Sequence, residues 1–444
     1  MGQDRIMDLV QRALSLSGAD QTEVSIQRSD TELTRVANNV IHQHVAEADV
    51  RVSVRVALEG KLGQASTSRL DEDALKETVE TAMAVASDSR PDPDFPGFPG
   101  PQVYPPVAAF DEETANQDPR QRALAIARVT GRAEEAGLLV AGFLASTAGE
   151  LALGNSCGLT AYHRYTRAGA MFVTSSEHGS GYASHQAAAA RDLQVDETAR
   201  RAQEKCLLNR DQVEIEPGRY TVILEPEAVA TFLSGITMGF SGDAVKDGRS
   251  PIARLIGQKL VGENISLWDD GLDPRGAPVP FDAEGTPKER VDLIQRGVIK
   301  NVVHSRSTAA GLPGARSTGH AVSPRGYGMS ALPTHVFMET GDSSLEHMIA
   351  STERGLLVTR FWYHRMVHPM RTLVTGLTRD GTFLVENGRL VSATKNLRYT
   401  HTVVETLNHV EAIGRDARWC GMHGGMYVPA LKAGSFLFTG VTTH

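Results

Sequence analysis

The second half of the chain begins with Pro217-Gly218-Arg219-Tyr220-Thr221-Val222-Ile223-Leu224-Glu225-Pro226-Glu227-Ala228. Its Pro–Gly pair favours a turn, and the β-branched and aliphatic residues 220–224 favour a strand. Pro226 suits the first position of a helix, because the amide hydrogen that proline lacks has no helical partner there. A turn, a strand and a helix in this order predict the start of a new domain, and we place the boundary between residues 212 and 213.

Residues 1–212 are predicted to form an α/β domain. Apolar residues at helical spacing indicate helices over 4–17, 72–86 and 196–207, and Asp118-Pro119 predicts the start of another helix. The clearest strand has valines at positions 50, 52, 54 and 56 that alternate with polar residues. Seven prolines within residues 91–106 exclude a helix there and indicate a long loop.

Residues 213–444 are predicted to form a β-rich domain. Short apolar runs, such as Phe383-Leu384-Val385, are separated by Gly, Pro and Asp residues, which is typical of strands joined by turns. The fold class that the whole sequence predicts is therefore α+β with two domains.

The composition is that of an ordinary globular chain. Of 444 residues, 41% are hydrophobic and 22% are charged. With 45 Lys and Arg against 53 Asp and Glu, the net charge is −8, which argues against nucleic-acid and anionic-membrane partners. The three cysteines form no CxxC motif, and no apolar run is long enough for a membrane span. We expect a soluble cytoplasmic protein.

Several classes of enzyme are disfavoured by missing motifs. The sequence has no GxxxxGK[ST] phosphate loop and no GxGxxG motif after a strand. It also has no GxSxG nucleophile elbow. Nucleotide binding and serine hydrolysis of that type therefore have no support.

Two histidine clusters are candidate metal sites. His401, Glu405 and His409 would share one face of a helix, and two imidazoles with a carboxylate can bind zinc. The alternative is a helix whose partly exposed face carries these residues without a metal. Cys420 and His423 form a second fragment in a glycine-rich loop, but two ligands are too few to specify a site.

Three ordered motifs of the second half resemble those of the TldD/PmbA (TldD/TldE) metalloprotease family. They are residues 217–228, quoted above, then Pro280-Phe281-Asp282-Ala283-Glu284-Gly285-Thr286-Pro287, then Ser317-Thr318-Gly319-His320-Ala321. The segments at 95–99, 293–299 and 385–388 add to the likeness, which thus runs along nearly the whole chain. The resemblance implies an α/β N-terminal domain, a β-rich, barrel-like C-terminal domain, and two subunits around an internal cavity.

The resemblance also implies which subunit this is. The catalytic, TldD-type subunit carries HExxxH and a distant Cys as zinc ligands, and the TldE or PmbA type lacks HExxxH. Pro226 and Thr231 stand at the two histidine positions here, and only Glu227 is retained. Cys420 stands roughly where the catalytic type has its Cys ligand.

The resemblance therefore predicts a PmbA/TldE-type, non-catalytic subunit without a cofactor of its own. Its partner would be a TldD-type subunit that holds the zinc, and a homodimer would form when the chain is alone. The substrates would be small or unfolded peptides or modified peptide precursors. Two alternatives stay open: a self-sufficient amidohydrolase or peptidase with an unorthodox metal site, and a non-enzymatic peptide-binding dimer.

Overall fold

The computed structural model describes residues 1–322, 329–421 and 425–442, which form two β-sheets with helices. The first sheet is antiparallel, with the strand order β3-β2-β1-β4-β5-β6. Its strands are β1 (Gln21–Ala37), β2 (Val40–Leu58), β3 (Lys61–Thr67), β4 (Leu139–Asn155), β5 (Thr160–Ser175) and β6 (Ser180–Ala187). Several are unusually long, and β1 pairs with β2 and β4 over almost its whole length.

Helices cover one face of this sheet. They are α1 (Gln3–Ser15), α2 (Glu72–Asp88), α3 (Glu112–Ala115), α4 (Pro119–Glu135) and α5 (Val195–Leu208). The alternation of the strands explains the packing, because every second side chain, such as Val24, Val52 and Phe172, points into the apolar layer below the helices. The opposite face carries many polar side chains and lies against the second half of the chain.

The second sheet belongs to residues 218–441 and contains a closed ring. The ring consists of β7 (Gly218–Leu224), β12 (Arg354–His368), β13 (Leu373–Glu386), β15 (Leu397–Thr402) and β17 (Gly425–Val441), and it closes because β7 pairs with both β12 and β17. Further strands are β8 (Leu267–Asp269), β9 (Val291–Gln295), β10 (Val298–Ile299), β11 (His335–Met338), β14 (Arg389–Ala393) and β16 (Val410–Cys420). The predicted α+β class with a β-rich, barrel-like second half is confirmed.

Helix α6 (Pro226–Thr237) packs against the inside of the ring. The centre of the aromatic ring of Phe232 lies 6.0 Å from that of Phe361 on β12, 6.1 Å from that of Tyr399 on β15 and 5.3 Å from that of Phe436 on β17. The remaining helices are short: α7 (Gly242–Lys246), α8 (Arg306–Ala310), α9 (Leu345–Ala350) and α10 (Val403–Asn408). None of the described helices combines the length and the apolar character that a membrane span requires.

The chain passes from the first sheet to the second between Leu208, the last residue of α5, and Gly218, the first residue of β7. The domain limits 1–212 and 213–444 stay a prediction. Two helix starts agree with the sequence signals, since Asp71 accepts a hydrogen bond from the Ala74 amide and Asp118 accepts one from Arg120.

Candidate functional site

The strand–helix motif of β7 and α6 positions the residues that the sequence singles out. Pro226 is the first residue of α6, and Glu227 follows in its first turn. The Thr231 hydroxyl donates a hydrogen bond of 2.8 Å to the Glu227 carbonyl oxygen, so it bonds within its own helix. Neither flanking position therefore offers a metal ligand next to Glu227.

The carboxylate of Glu227 points out of the helix towards β6 and β16. It accepts a hydrogen bond from the hydroxyl of Ser184, on the edge strand of the first sheet, and it interacts with the thiol of Cys420 at the end of β16. Cys420 is 1% exposed, and burial, together with the charge of Glu227, raises the pKa of its thiol well above the usual value. These surroundings favour the protonated thiol over the thiolate.

Three cations surround the start of α6. Glu225, the residue before the helix, is 3% exposed and accepts a hydrogen bond of 2.6 Å from the Lys205 ammonium. The guanidinium groups of Arg201 and Arg418 lie 3.6 Å and 3.8 Å from the same carboxylate oxygen. Burial alone would raise the pKa of Glu225, but these cations outweigh it and hold that pKa below its usual value.

This arrangement does not fit a zinc ion. Zinc sites use three or four Cys, His or carboxylate ligands, with the cysteine as thiolate. Glu227 and Cys420 are only two such residues, and three positive side chains stand nearby. Within residues 1–322, 329–421 and 425–442, no group of three or more His, Cys, Asp or Glu side chains could hold a metal ion.

The predicted helix face of His401, Glu405 and His409 is wrong. His401 belongs to strand β15, Thr402 caps α10 with its hydroxyl, and His409 follows the end of that helix. The three residues are neighbours, but Arg219 binds the Glu405 carboxylate at 2.7 Å, and His409 Nδ1 donates to the Glu405 carbonyl. Burial lowers the pKa of His401 to about 4. His423, the predicted companion of Cys420, lies outside the described residues.

Asp282 and His320, which come from two of the sequence motifs, are engaged in buried contacts that hold the second half together. The Asp282 carboxylate accepts backbone N–H groups from Glu284, Thr286 and Ala321. His320 is fully buried, and its Nε2 lies 2.9 Å from the carboxylate of Asp269, which is also fully buried. These motifs therefore fix the loops that face the first sheet.

Two cavities lie between the polar face of the first sheet and the second half. The first has a volume of about 680 Å³, and Glu23, Arg55 and Glu284 contribute to its wall. The second has a volume of about 600 Å³ and is lined by groups such as Arg167, His185 and Trp419. They share the wall residues Val322, Thr334 and His335. Both volumes are in the range of ligand sites.

Sequence reasoning missed the residues that surround Glu227 and Glu225. Ser184, Arg201 and Lys205 precede the motif by 20 to 43 residues and reach it only through the packing of the two halves. The one available signal was the four-residue spacing of Arg201 and Lys205, which places both on one face of α5.

Comparisons with known proteins agree with this architecture. Residues 217–440 match the model of the PmbA/TldA metallopeptidase C-terminal domain, and residues 22–86 match that of PmbA/TldA metallopeptidase domain 1. A metalloprotease TldD homolog of Buchnera aphidicola is 26% identical over 54% of this chain and 52% of its own length. The metalloprotease PmbA of Escherichia coli O157:H7 is 23% identical over 92% of this chain and 91% of its own.

Solved structures share the whole fold. The crystal structure of TldE from Thermococcus kodakarensis has a TM-score of 0.89 at 22% identity and covers 98% of this chain and 100% of its own. A Thermotoga maritima structure has a TM-score of 0.86 at 18% identity, with the same coverage.

The fold and the matched models place the chain among two-sheet proteins that carry the PmbA/TldA metallopeptidase domains. The chain belongs to the PmbA/TldD family. The chain spans about half the length of several curated relatives that it matches, among them the Buchnera protein.

Proposed function

We propose that this chain is the PmbA/TldE-type, non-catalytic subunit of a heterodimeric zinc peptidase. Its partner would be a TldD-type chain with an intact HExxxH motif, and the complex would cleave small or unfolded peptides or modified peptide precursors. A cytoplasmic location, which the sequence favours, is part of the proposal. The structural similarity to the Thermococcus TldE over nearly the whole chain supports this choice of subunit type.

The replacement of the metal ligands at α6 carries the proposal. A zinc peptidase needs the ion to activate water and a carboxylate to take the proton from that water. Here Glu227 is retained, but it bonds to Ser184 and stands beside a buried thiol and the cations of the Glu225 cluster. Arg418 and Lys205 would repel a dication at this position, and both already pair with the single carboxylate of Glu225.

The chain would contribute binding surface and shielding from water. The two cavities between its halves provide room for a peptide segment, and the strand edges offer backbone groups that can hold it in extended form. Excluding water around the partner's zinc would strengthen the electrostatic interactions there.

A set of exposed apolar side chains along β12 and the turn that joins it to β13 is our candidate for the partner interface. The exposed fraction is 39% for Trp362, 63% for Tyr363, 52% for Val367 and 49% for Met370. All four residues belong to one stretch of nine residues in the C-terminal half. Exposed aromatic side chains in such a cluster are typical of interface anchors.

The test is co-purification of the chain with a TldD-type partner, followed by light scattering and a peptide-cleavage assay. We expect a one-to-one complex that cleaves peptide, and no cleavage by this chain alone. The double substitution Trp362→Ala and Tyr363→Ala should weaken the complex by about tenfold or more. The matched control is Leu124→Ala, which removes an apolar side chain that is 64% exposed on α4.

The other outcomes would select the alternatives. Cleavage by this chain alone, with bound metal, would contradict the proposal and favour the self-sufficient enzyme. Peptide binding without cleavage, either alone or with any TldD-type partner, would favour the peptide-binding dimer.

A further inference from the structure

The first cavity contains a buried carboxylate that has unused hydrogen-bonding capacity. Glu23, on β1, is 2% exposed, and its Oε1 accepts a hydrogen bond of 3.1 Å from Arg55. Its Oε2 is buried and has no hydrogen-bond partner among the described residues. Leaving such an oxygen unpaired is costly, so a ligand that donates a hydrogen bond there would be stabilised.

A second carboxylate faces Glu23 from the other half of the chain. Glu284 accepts the Arg306 backbone N–H at 2.7 Å, and its charge acts on Glu23. Burial and the charge of Glu284 together raise the pKa of Glu23 to about 7, although Arg55 opposes them. The guanidinium groups of Arg55 and Arg306 both act on these two carboxylates, and Asp243 adds a third negative charge beside Glu284. Three carboxylates against two guanidinium groups leave room for a further positive charge.

The cavity also has aromatic rings suited to an organic cation. The Arg55 guanidinium lies 5.3 Å from the centre of the Phe98 ring, and Phe95 stacks edge-on against Phe98 at 5.2 Å. Aromatic faces beside carboxylates are a usual setting for ammonium and guanidinium groups. Both phenylalanines come from the proline-rich segment, which forms part of the cavity wall.

Most of the remaining charged groups of the wall are already engaged, and the charge of the Lys288 ammonium acts on the Asp282 carboxylate. Asp243 accepts hydrogen bonds from the Ser330 and Ala331 amides, and Lys246 pairs with Asp94. Arg306 donates through Nη2 to the Gly97 carbonyl, but its Nε is buried and has no partner within the described part of the chain. The cavity thus offers an acceptor at Glu23 and a donor at Arg306, on opposite halves of the chain.

We propose that this cavity binds a basic residue within a peptide. The guanidinium or ammonium group would lie near Glu23 and Glu284, and a peptide carbonyl oxygen would accept the Arg306 Nε–H. Arg51, which is exposed, lies on the wall and marks the side open to solvent. The role of such binding in peptide cleavage rests on the proposed function, whereas the binding itself belongs to this chain alone.

The test is calorimetric titration of the purified chain with three probes. We expect acetyl-Gly-Arg-Gly-amide to bind about tenfold or more tightly than the same peptide with neutral citrulline. Ethylguanidinium, which has no carbonyl group, should bind more weakly than the arginine peptide. Affinity for the arginine peptide should fall between about pH 8 and about pH 6, because protonation of Glu23 removes the charge that attracts the ligand.

Two variants assign the binding to the cavity. Glu23→Gln keeps the shape of the side chain and the bond from Arg55 but removes the charge. Glu284→Gln keeps the bond from the Arg306 N–H and removes the charge on the other half of the chain. Either variant suffices if the other does not fold. Both should lose about tenfold or more in affinity for the arginine peptide. Glu47→Gln, an equal charge change at an exposed position of β2, should bind like the unmodified chain.

Three results would overturn the inference. They are equal binding of the arginine and citrulline peptides, equal binding of ethylguanidinium and the arginine peptide, and displacement of the peptide by magnesium or calcium ions. A TldD-type complex without peptidase activity would contradict the proposed function but would leave this binding result unchanged.

Discussion

By the family resemblance, Glu227 stands where the catalytic type has its glutamate, but Pro226 and Thr231 occupy the two histidine positions beside it. We expect Glu227→Ala to leave the peptidase activity of the reconstituted complex within a few-fold of the unmodified complex, since removing a true general base usually costs on the order of 10²–10⁴ in rate. The variant should lose ~0.3–1 kcal/mol of stability through the helix terminus. Steady-state cleavage rates and thermal unfolding measure the two effects.

The control is the partner chain's own HExxxH glutamate changed to alanine, which should abolish cleavage. A loss of two decades for Glu227→Ala, with fold and dimer intact by circular dichroism and light scattering, would mean that this chain carries out chemistry. Ser184→Ala, which removes the hydroxyl bound to Glu227, would then be the next variant to compare.

The raised pKa of Glu23 makes stability depend on pH. Well below about pH 4.5, Glu23 is protonated in both the folded and the unfolded chain, so it does not make the free energy of unfolding depend on pH. Between its ordinary value of 4.5 and its folded pKa of about 7, the unfolded chain has released the proton and the folded chain still holds it, so the free energy of unfolding falls as pH rises. The total loss is on the order of 3 kcal/mol and is complete above the folded pKa.

We therefore expect Glu23→Gln to be more stable than the unmodified chain above about pH 7, and to show a shallower fall in melting temperature between about pH 5 and about pH 7. Some fall should persist, because burial also raises the pKa of Asp282 to about 7. Glu47→Gln should follow the curve of the unmodified chain. Identical curves for Glu23→Gln and the unmodified chain would refute this assignment.

At the scale of helices and strands, the sequence predicts those features that depend on residues close together in the chain. The starts of α4 and α6, the Asp71 cap and the apolar face of α2 follow from proline position, capping and periodicity, which act within a few residues. The closure of β7 on β17 depends on pairing across more than 200 residues, such as Leu224 with Leu431, and no local pattern encodes it. The four-residue spacing of His401, Glu405 and His409 fits one helical face, but the strand that ends at Thr402 and the helix that ends at Asn408 separate them.

Helix α6 should be the main apolar support of the ring of strands. Phe232 is 2% exposed and contacts rings on three strands, so Phe232→Ala leaves a cavity that rigid strands cannot close. We expect a loss of about 3–5 kcal/mol in the free energy of unfolding, measured by denaturant titration. Leu124→Ala on the surface of α4 should change it by less than about 0.5 kcal/mol. If Phe232→Ala also changed the free energy of unfolding by less than about 0.5 kcal/mol, α6 would not be the support of the ring of strands.

At the scale of the whole molecule, the site at α6 is built from both halves of the chain. Glu225 and Glu227 come from the second half, whereas Ser184, Arg201 and Lys205 come from the first. The sequence could identify the missing histidines because they fall within one short motif. It could not identify the cations, since their approach depends on how the first sheet lies against the ring.

The cations that the first half brings to the start of α6 lead to a prediction about metal content. We expect the chain purified alone to carry no stoichiometric zinc after dialysis, because Glu227 and Cys420 are too few ligands for a zinc site and the surrounding cations disfavour a dication. The heterodimer should carry about one zinc, as a single catalytic centre in the partner requires. Cys420→Ala should leave the zinc content of the complex unchanged, whereas removal of the partner's HExxxH histidines should eliminate it. Elemental analysis decides the matter, and about one zinc per isolated chain would make this chain a metal-binding subunit.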